Sequence, residues 1–211
     1  MYNSFGKRII DLALTFPALI VLSPIIILVV LAVRIRLGSP VLFRQVRPGL
    51  HCNPFTILKF RTMNDECDVK GKVLPDAERL TSLGRFLRAT SLDELPELLN
   101  VLRGEMSLVG PRPLLSRYTP YFSQRERLRF LVRPGITGLS QVRGRNDLSW
   151  KLRLANDVEY VRRCSLALDI QIIFITIWRV ITRRGLRVDP GANMLDFDEE
   201  RKGTRISQPG S

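Results

Sequence analysis

The apolar positions of the chain fall into one long run and several short ones. Residues 12–33 (LALTFPALIVLSPIIILVVLAV) are almost wholly apolar, and as a helix they reach about 33 Å, enough to cross a bilayer core. Ser23-Pro24 sits at the midpoint, where proline removes a backbone donor and crowds the carbonyl four residues back. In lipid a serine hydroxyl can satisfy such a freed carbonyl. Lys7 and Arg8 precede the run, and Arg34 and Arg36 follow it. Basic residues favour the cytoplasmic side, so both ends prefer the same side. The pattern predicts an N-terminal re-entrant membrane helical hairpin over residues 1–36, kinked at Ser23-Pro24. An ordinary bitopic span and a buried soluble helix are the alternatives. A signal peptide is disfavoured, because the run is too long and Arg34-Ile35-Arg36 follows it.

Beyond residue 36 the pattern shortens. Residues 41–47 (VLFRQVR) and 55–60 (FTILKF) are β-prone and separated by Pro48, Gly49, Asn53 and Pro54, which predicts a β-hairpin near 41–60 with Lys59 on its second strand. Helical spacing recurs around 79–88, 95–102, 120–131 and 147–164. Residues 166–184 are apolar but broken by Asp169, Gln171 and Arg179. With Trp178 and Arg183-Arg184 near the end, they read either as a helix lying in the membrane interface or as a core helix. The expected class is α+β and helix-dominated, with interfacial helices around a cytoplasmic active site. Residues 37–185 form the catalytic domain and 186–211 a loosely ordered tail, whose last residues, 203–211, read as an appended segment.

Composition narrows the chemistry. The 211 residues carry a formal charge of +13, and 27 of the 33 basic residues are arginine, a bias that suits bidentate phosphate binding. Cys52, Cys67 and Cys164 form no CxxC pair and His51 is the single histidine. A zinc cluster, a disulfide framework and a Ser/His/Asp triad are therefore not expected. Neither GxxxxGK[ST] nor GxGxxG occurs.

The most informative segment is Ser91-Leu92-Asp93-Glu94-Leu95-Pro96. Ser91-x-x-Glu94 matches a helix capping box. Alternatively, Pro96 at the first helical position leaves Asp93 and Glu94 just outside the helix start. There they are placed to hold Mg²⁺ together with substrate phosphates, or to supply a carboxylate nucleophile. Nearby cations are Lys59, Arg61, Arg85, Arg88, Arg112, Arg143 and Arg145. Arg112 is held between Pro111 and Pro113. The glycine-rich segment 133–146 offers backbone donors.

Four motifs taken together resemble a known family: Lys59-Phe60-Arg61-Thr62-Met63, Ser91-Leu92-Asp93-Glu94-Leu95-Pro96, Met106-Ser107-Leu108-Val109-Gly110-Pro111-Arg112-Pro113 and Arg133-Pro134-Gly135-Ile136-Thr137-Gly138-Leu139. They are similar to those of the bacterial sugar transferases known as monotopic phosphoglycosyl transferases. Lys7-Arg8-x-x-Asp11, Ser23-Pro24 and the small size look like the minimal, PglC type. The resemblance covers residues 1 to about 185.

The resemblance implies transfer of a sugar 1-phosphate from a UDP-sugar to undecaprenyl phosphate, with release of UMP, at the cytoplasmic face of a bacterial inner membrane. Asp93 would be the nucleophile, forming a covalent phosphosugar intermediate, and Glu94 its partner as Mg²⁺ ligand or acid/base group. Lys59, Arg88, Arg112 and Arg145 would contact phosphate and nucleotide. Inner-membrane phospholipid and downstream glycosyltransferases are the other expected partners. The absence of further upstream membrane helices favours an N-acetylated amino sugar, such as a UDP-diacetamido-trideoxyhexose. A UDP-glucose or UDP-galactose hexose-1-phosphate transferase for exopolysaccharide initiation is the alternative. A basic nucleic-acid-binding protein or a membrane scaffold is the different class; nucleic acid is not expected, because no binding motif accompanies the charge.

Overall fold

A single continuous helix, α1 (Ser4–Leu37), contains both Pro17 and Pro24. The computed structural model describes residues 4–68, 71, 73–144, 148–182 and 196–206. Pro24 leaves the carbonyl of Ile20 without its helical donor, and Ser23 Oγ donates to that oxygen at 2.8 Å. The expected break at Ser23-Pro24 therefore does not divide α1 into two elements. Phe16, Ile20, Val21, Ile27 and Leu28 are exposed along its middle, an apolar surface suited to lipid.

Both ends of α1 hold the same folded body. Near its start, Lys7 Nζ lies 2.5 Å from Asp169 Oδ2, with both side chains buried. Arg8 donates to the carbonyls of Val101 and, at 2.8 Å, Leu102. These are terminal acceptors of α4 (Glu97–Arg103), which a cation satisfies well. Asp11 Oδ1 accepts from Ser107 Oγ and Leu108 N, each at 3.0 Å. Near the end of α1, Val29 and Val33 are buried with Phe60 and Leu87.

The hairpin expected near 41–60 forms from β1 (Leu42–Pro48) and β2 (Pro54–Phe60), paired antiparallel in a register from Leu42 opposite Phe60 to Pro48 opposite Pro54. Next come α2 (Asp76–Arg79), α3 (Ser82–Ala89) and α4. A short parallel pair follows, β3 (Ser107–Val109) with β4 (Gly135–Thr137), in a region that reads as loop in the sequence. Between these strands the helical pattern of 120–131 yields two 3-10 segments, Ser116–Tyr121 and Glu126–Leu131. Pro120 lies inside the first, and Phe122 after it is extended, so no α-helix bridges them.

The remaining helices are α5 (Leu139–Arg143), α6 (Trp150–Arg163), α7 (Leu166–Thr182) and α8 (Phe197–Ile206). α7 buries Asp169 and Ile172 and exposes Phe174, Ile177, Trp178 and Ile181; Arg183-Arg184 lie outside the described residues. The tail differs from expectation. Phe197 of α8 is fully buried and packs with Tyr118, Phe122 and Trp150 at ring-centroid distances of 5.6, 5.1 and 5.3 Å. An aromatic side chain that removes this much surface from water orders a segment with little apolar periodicity of its own. Residues 186–195 and 207–211 of the expected tail lie outside the described residues.

Lys7 and Asp169 are a buried pair, and Asp169 also lies 2.7 Å from the Tyr160 hydroxyl. Removing one partner strands the other charge, so Lys7→Ala is expected to cost about 3–5 kcal/mol. The measurement is chemical unfolding in detergent. The double variant Lys7→Ala/Asp169→Ala is expected to lose less than the two single losses summed.

Candidate active site

Asp93 and Glu94 lie in a 3-10 turn, Leu92–Glu94, between α3 and α4. Ser91 enters the turn left-handed at φ 57°, and its side chain makes no capping hydrogen bond. The capping-box reading of Ser91-x-x-Glu94 is therefore set aside. Pro96 immediately precedes Glu97, the first residue of α4, so the dyad stands just outside the helix start.

Three cations come to this turn from three elements. Lys59 is the penultimate residue of β2. Arg88 is in the last turn of α3. A Cβ on Gly84 would stand 1.9 Å from the Thr62 carbonyl oxygen, so α3 lies directly on the chain leaving β2 and Arg88 Nε reaches Thr62 Oγ1 at 3.1 Å. Arg112 follows β3, where the backbones of β3 and β4 are equally close: a Cβ on Gly135 would be 2.0 Å from the Gly110 nitrogen. Gly135 N donates to the Pro111 carbonyl at 3.1 Å. Arg129 Nη2 donates to the Arg112 carbonyl at 2.6 Å, and Arg129 itself is pinned by a buried ion pair with Asp157 at 3.0 Å. The backbone of Arg112 is thus fixed from two sides.

These cations are shared unequally. Glu94 Oε1 takes both Lys59 Nζ and Arg112 Nη2, each at 2.7 Å. Lys59 also lies 3.1 Å from Glu97, which is 2% exposed. Asp93 is buried and makes no hydrogen bond or ion pair among the described residues. The protonation equilibria follow. Burial pushes the Asp93 carboxyl up to about 6, helped by the negative charge of Glu94. Burial acts the same way on Glu94, but Arg112 and Lys59 outweigh it and hold that carboxyl well below its usual range. Glu97 is raised by burial to about 7. One carboxylate is locked in an ion-pair network while its neighbour is left desolvated and available.

The dyad opens into a cavity of about 2050 Å³ that also takes in Lys59, Arg88 and Arg112. Sites for single small molecules occupy roughly 300–1,000 Å³, so this space suits more than one substrate. Its lining includes apolar residues of α1 and α7, among them Leu22 and Ile177, as well as Tyr118 and Trp150.

Of the residues singled out in the sequence, Asp93, Glu94, Lys59, Arg88 and Arg112 share this cavity, and Arg145 lies outside the described residues. Lys59 is engaged by two carboxylates rather than held free for a phosphate. Arg61 binds the carbonyls of Leu37 and Pro40 and pairs with Asp65. Arg85 donates to the Leu80 carbonyl, and Arg143 is bound by Asn156 and Glu159. Sequence reasoning missed Glu97 and the Arg129–Asp157 pair. Glu97 carried a signal, since it follows Asp93 by four residues and Glu94 by three, spacings that share a helix face. Arg129 and Asp157 are 28 positions apart and carried none.

For Mg²⁺, the donor set is oxygen-only: both oxygens of Asp93, and Glu94 Oε2, which accepts no hydrogen bond among the described residues. No group of three or more His, Cys, Asp or Glu side chains converges among them. One or two carboxylates completed by phosphate oxygens and water are what Mg²⁺ typically uses, so these residues fit it.

The family model described as bacterial sugar transferase matches residues 2–183. The uncharacterized sugar transferase EpsL of Bacillus subtilis is 50% identical over 86% of this chain and 90% of its own length. The UDP-glucose:undecaprenyl-phosphate glucose-1-phosphate transferase of Caulobacter vibrioides is 41% identical over 83% of this chain and 70% of its own length. A protein of the same name in Escherichia coli is 40% identical over 84% of this chain, which aligns with 40% of that longer relative. The chain belongs to the bacterial sugar transferase family.

Proposed function

We propose that the protein transfers a sugar 1-phosphate from a UDP-sugar to undecaprenyl phosphate, with Asp93 as covalent nucleophile. The observation that carries this reading is the unequal sharing of cations. Glu94 draws Lys59 and Arg112 to itself, and the adjacent Asp93 is left buried without a hydrogen-bond partner. The relatives whose names specify a sugar name glucose. The amino sugar expected from chain size has no support from them, and glucose is the donor sugar we put forward.

In the first half-reaction a carboxylate oxygen of Asp93 attacks the β-phosphorus of the donor. The bond from that phosphorus to the oxygen bridging the two phosphates breaks, and UMP departs with its electron pair. The product is an acyl phosphate carrying the sugar. In the second, a phosphate oxygen of the lipid attacks the same phosphorus, the bond to Asp93 breaks, and the carboxylate is restored. Dividing the reaction keeps the diphosphate and the lipid phosphate from occupying the site together. Glu94 holds Lys59 and Arg112 beside the reacting phosphorus, where their charge offsets that of the transition state. Mg²⁺, held by Asp93 and the second oxygen of Glu94, would supply further neutralisation of the diphosphate.

The membrane arrangement follows from α1. Lys7 and Val33 are 26 residues apart, roughly 39 Å along a straight helix, yet both contact the same body. A span perpendicular to the bilayer separates such residues across it, so the double attachment supports both ends on one side, as a monotopic protein requires. The exposed apolar residues of α7 support its lying in the interface. The reading places the site at the cytoplasmic face of the inner membrane.

Three outcomes test this. Enzyme mixed with Mg²⁺ and UDP-glucose without lipid is expected to release about one UMP per site and to carry a phosphosugar on the peptide containing Asp93. Asp93→Asn is expected to abolish both, and steady release without an adduct overturns the covalent route. A panel of UDP-sugars checks the sugar in the same assay.

The rate of that burst is expected to fall about tenfold per pH unit below about 6, since acid protonates the nucleophile. The carboxyl of Asp93 titrates higher folded than its ordinary 3.8, so its charge burdens the fold above about pH 6 and ceases to below about pH 4. Asp93→Asn is accordingly expected to gain up to ~3 kcal/mol of stability at pH 8 and little at pH 4 in unfolding measurements.

Single cysteines placed at Gly6 and Gly38 in sealed cells are both expected to resist a membrane-impermeant thiol reagent applied from outside. Labelling of one alone restores the bitopic span.

A further inference from the structure

Arg47 is a half-buried cation that pairs with no acid among the described residues. It stands opposite Phe55 in the hairpin register and lines the same cavity as Asp93, Arg112 and Arg153. Its Nη2 donates to the neutral Oε1 of Gln45 at 2.5 Å, and its Nε is buried without a hydrogen-bond partner. No carboxylate is within ion-pairing distance among the described residues. Burial, and then the charge of Arg112, lower its pKa to about 10, which leaves it protonated at neutral pH. Glu97 and Tyr118 act in the opposite direction and more weakly.

Two further guanidiniums face the same space. Arg153, on α6, holds its guanidinium 4.5 Å over the Trp150 ring, and its pKa is lowered by burial and again by Arg112. One turn further along α6, Asp157 binds Arg129, whose Nη2 also donates to the Arg112 carbonyl. Arg129 thus ties α6 to the turn after β3, and Arg47 of β1 lines the same cavity as Arg112 and Arg153. Gathering cations away from bulk water is unfavourable unless an anion joins them. Arg112 is already engaged by Glu94, whereas Arg47 has no carboxylate within ion-pairing distance among the described residues.

We propose that Arg47 binds a phosphate group of a substrate, forming with Arg112 and Arg153 a guanidinium wall beside the dyad. The proposal rests on the sugar-1-phosphate transfer reading. The phosphate is either that of the nucleotide, which departs as UMP, or that of the lipid acceptor. Arginine suits either, because its fork meets two phosphate oxygens at once.

The test uses full-length Arg47→Gln and Arg47→Lys in membrane-mimetic nanodiscs, with two arms. The nucleotide arm measures equilibrium binding of UMP by calorimetry. The lipid arm forms the Asp93 adduct with saturating donor, removes the excess, and follows its decay against undecaprenyl phosphate concentration. Arg47→Gln is expected to weaken one arm by ~10- to 100-fold, and Arg47→Lys to fall between it and the parent. Loss confined to UMP binding assigns the nucleotide phosphate, and a raised lipid requirement assigns the acceptor. The Tm of Arg47→Gln is expected to equal or exceed that of the parent, since the change removes a repelled charge. Unchanged behaviour in both arms overturns the proposal, as does a lowered Tm with equal losses throughout, which marks a structural arginine. UMP binding requires no turnover, so it remains informative if the parent forms no adduct, a result that would instead count against the covalent reading.

Discussion

Two adjacent carboxylates in a buried turn repel each other, and the arrangement here resolves that repulsion by unequal sharing. Glu94 receives Lys59 and Arg112 on a single oxygen. Asp93 receives neither. Had the cations been divided evenly, both acids would be held in ion pairs, and neither would stand apart from its neighbour. The partition depends on where the backbone aims each side chain. Ser91 turns left-handed, the chain takes one 3-10 turn, and Pro96 stands immediately before the next helix. Consecutive residues in that turn point in different directions, so Glu94 faces the cations and Asp93 the cavity.

Much of the remaining fold maintains that geometry. Lys59 is carried on a paired strand, and the Arg112 backbone is clamped by Gly135 N and by Arg129. The close approach of Gly110 and Gly135 brings β4 against the turn before Arg112. At the membrane side, Lys7, Arg8 and Asp11 bind α7, the end of α4 and the start of β3. Since α4 begins three residues after the dyad, the apolar helix grips the same short helix that follows the turn of Asp93 and Glu94.

The parts of this picture legible in the sequence are those with local causes. The hairpin followed from β-prone runs divided by Pro48, Gly49 and Pro54. The position of the dyad followed from Pro96, and the role of Ser23 from the donor that Pro24 lacks. Features with distant causes were not legible. The β3–β4 pair joins three-residue strands separated by more than twenty positions, too short for a periodic signal. The engagement of Lys59 by Glu94 and Glu97 depends on how β2 meets α4. The ordering of α8 depends on a slot between Tyr118, Phe122 and Trp150 that exists only once the chain is folded. Residues 120–131 show the opposite error. Their apolar spacing was helical, but Pro120 and the extended Phe122 broke it into 3-10 turns.

The energetics separate two kinds of charged residue around the cavity. Lys59 with Glu94 and Arg129 with Asp157 form ion pairs, and their pairing serves the fold. Asp93 and Arg47 have no ion-pair partner among the described residues, and each is shifted against its charged form by burial. Groups that burden the folded chain in this way are stabilised only when something binds, and the two have opposite chemical needs: a carboxylate seeks an electrophile or a cation, and an unpaired guanidinium seeks an anion. A phosphorus flanked by negative oxygens meets both at once. On the proposed reaction, the same substrate relieves both unfavourable terms, which would link affinity for phosphate to the reactivity of the neighbouring acid.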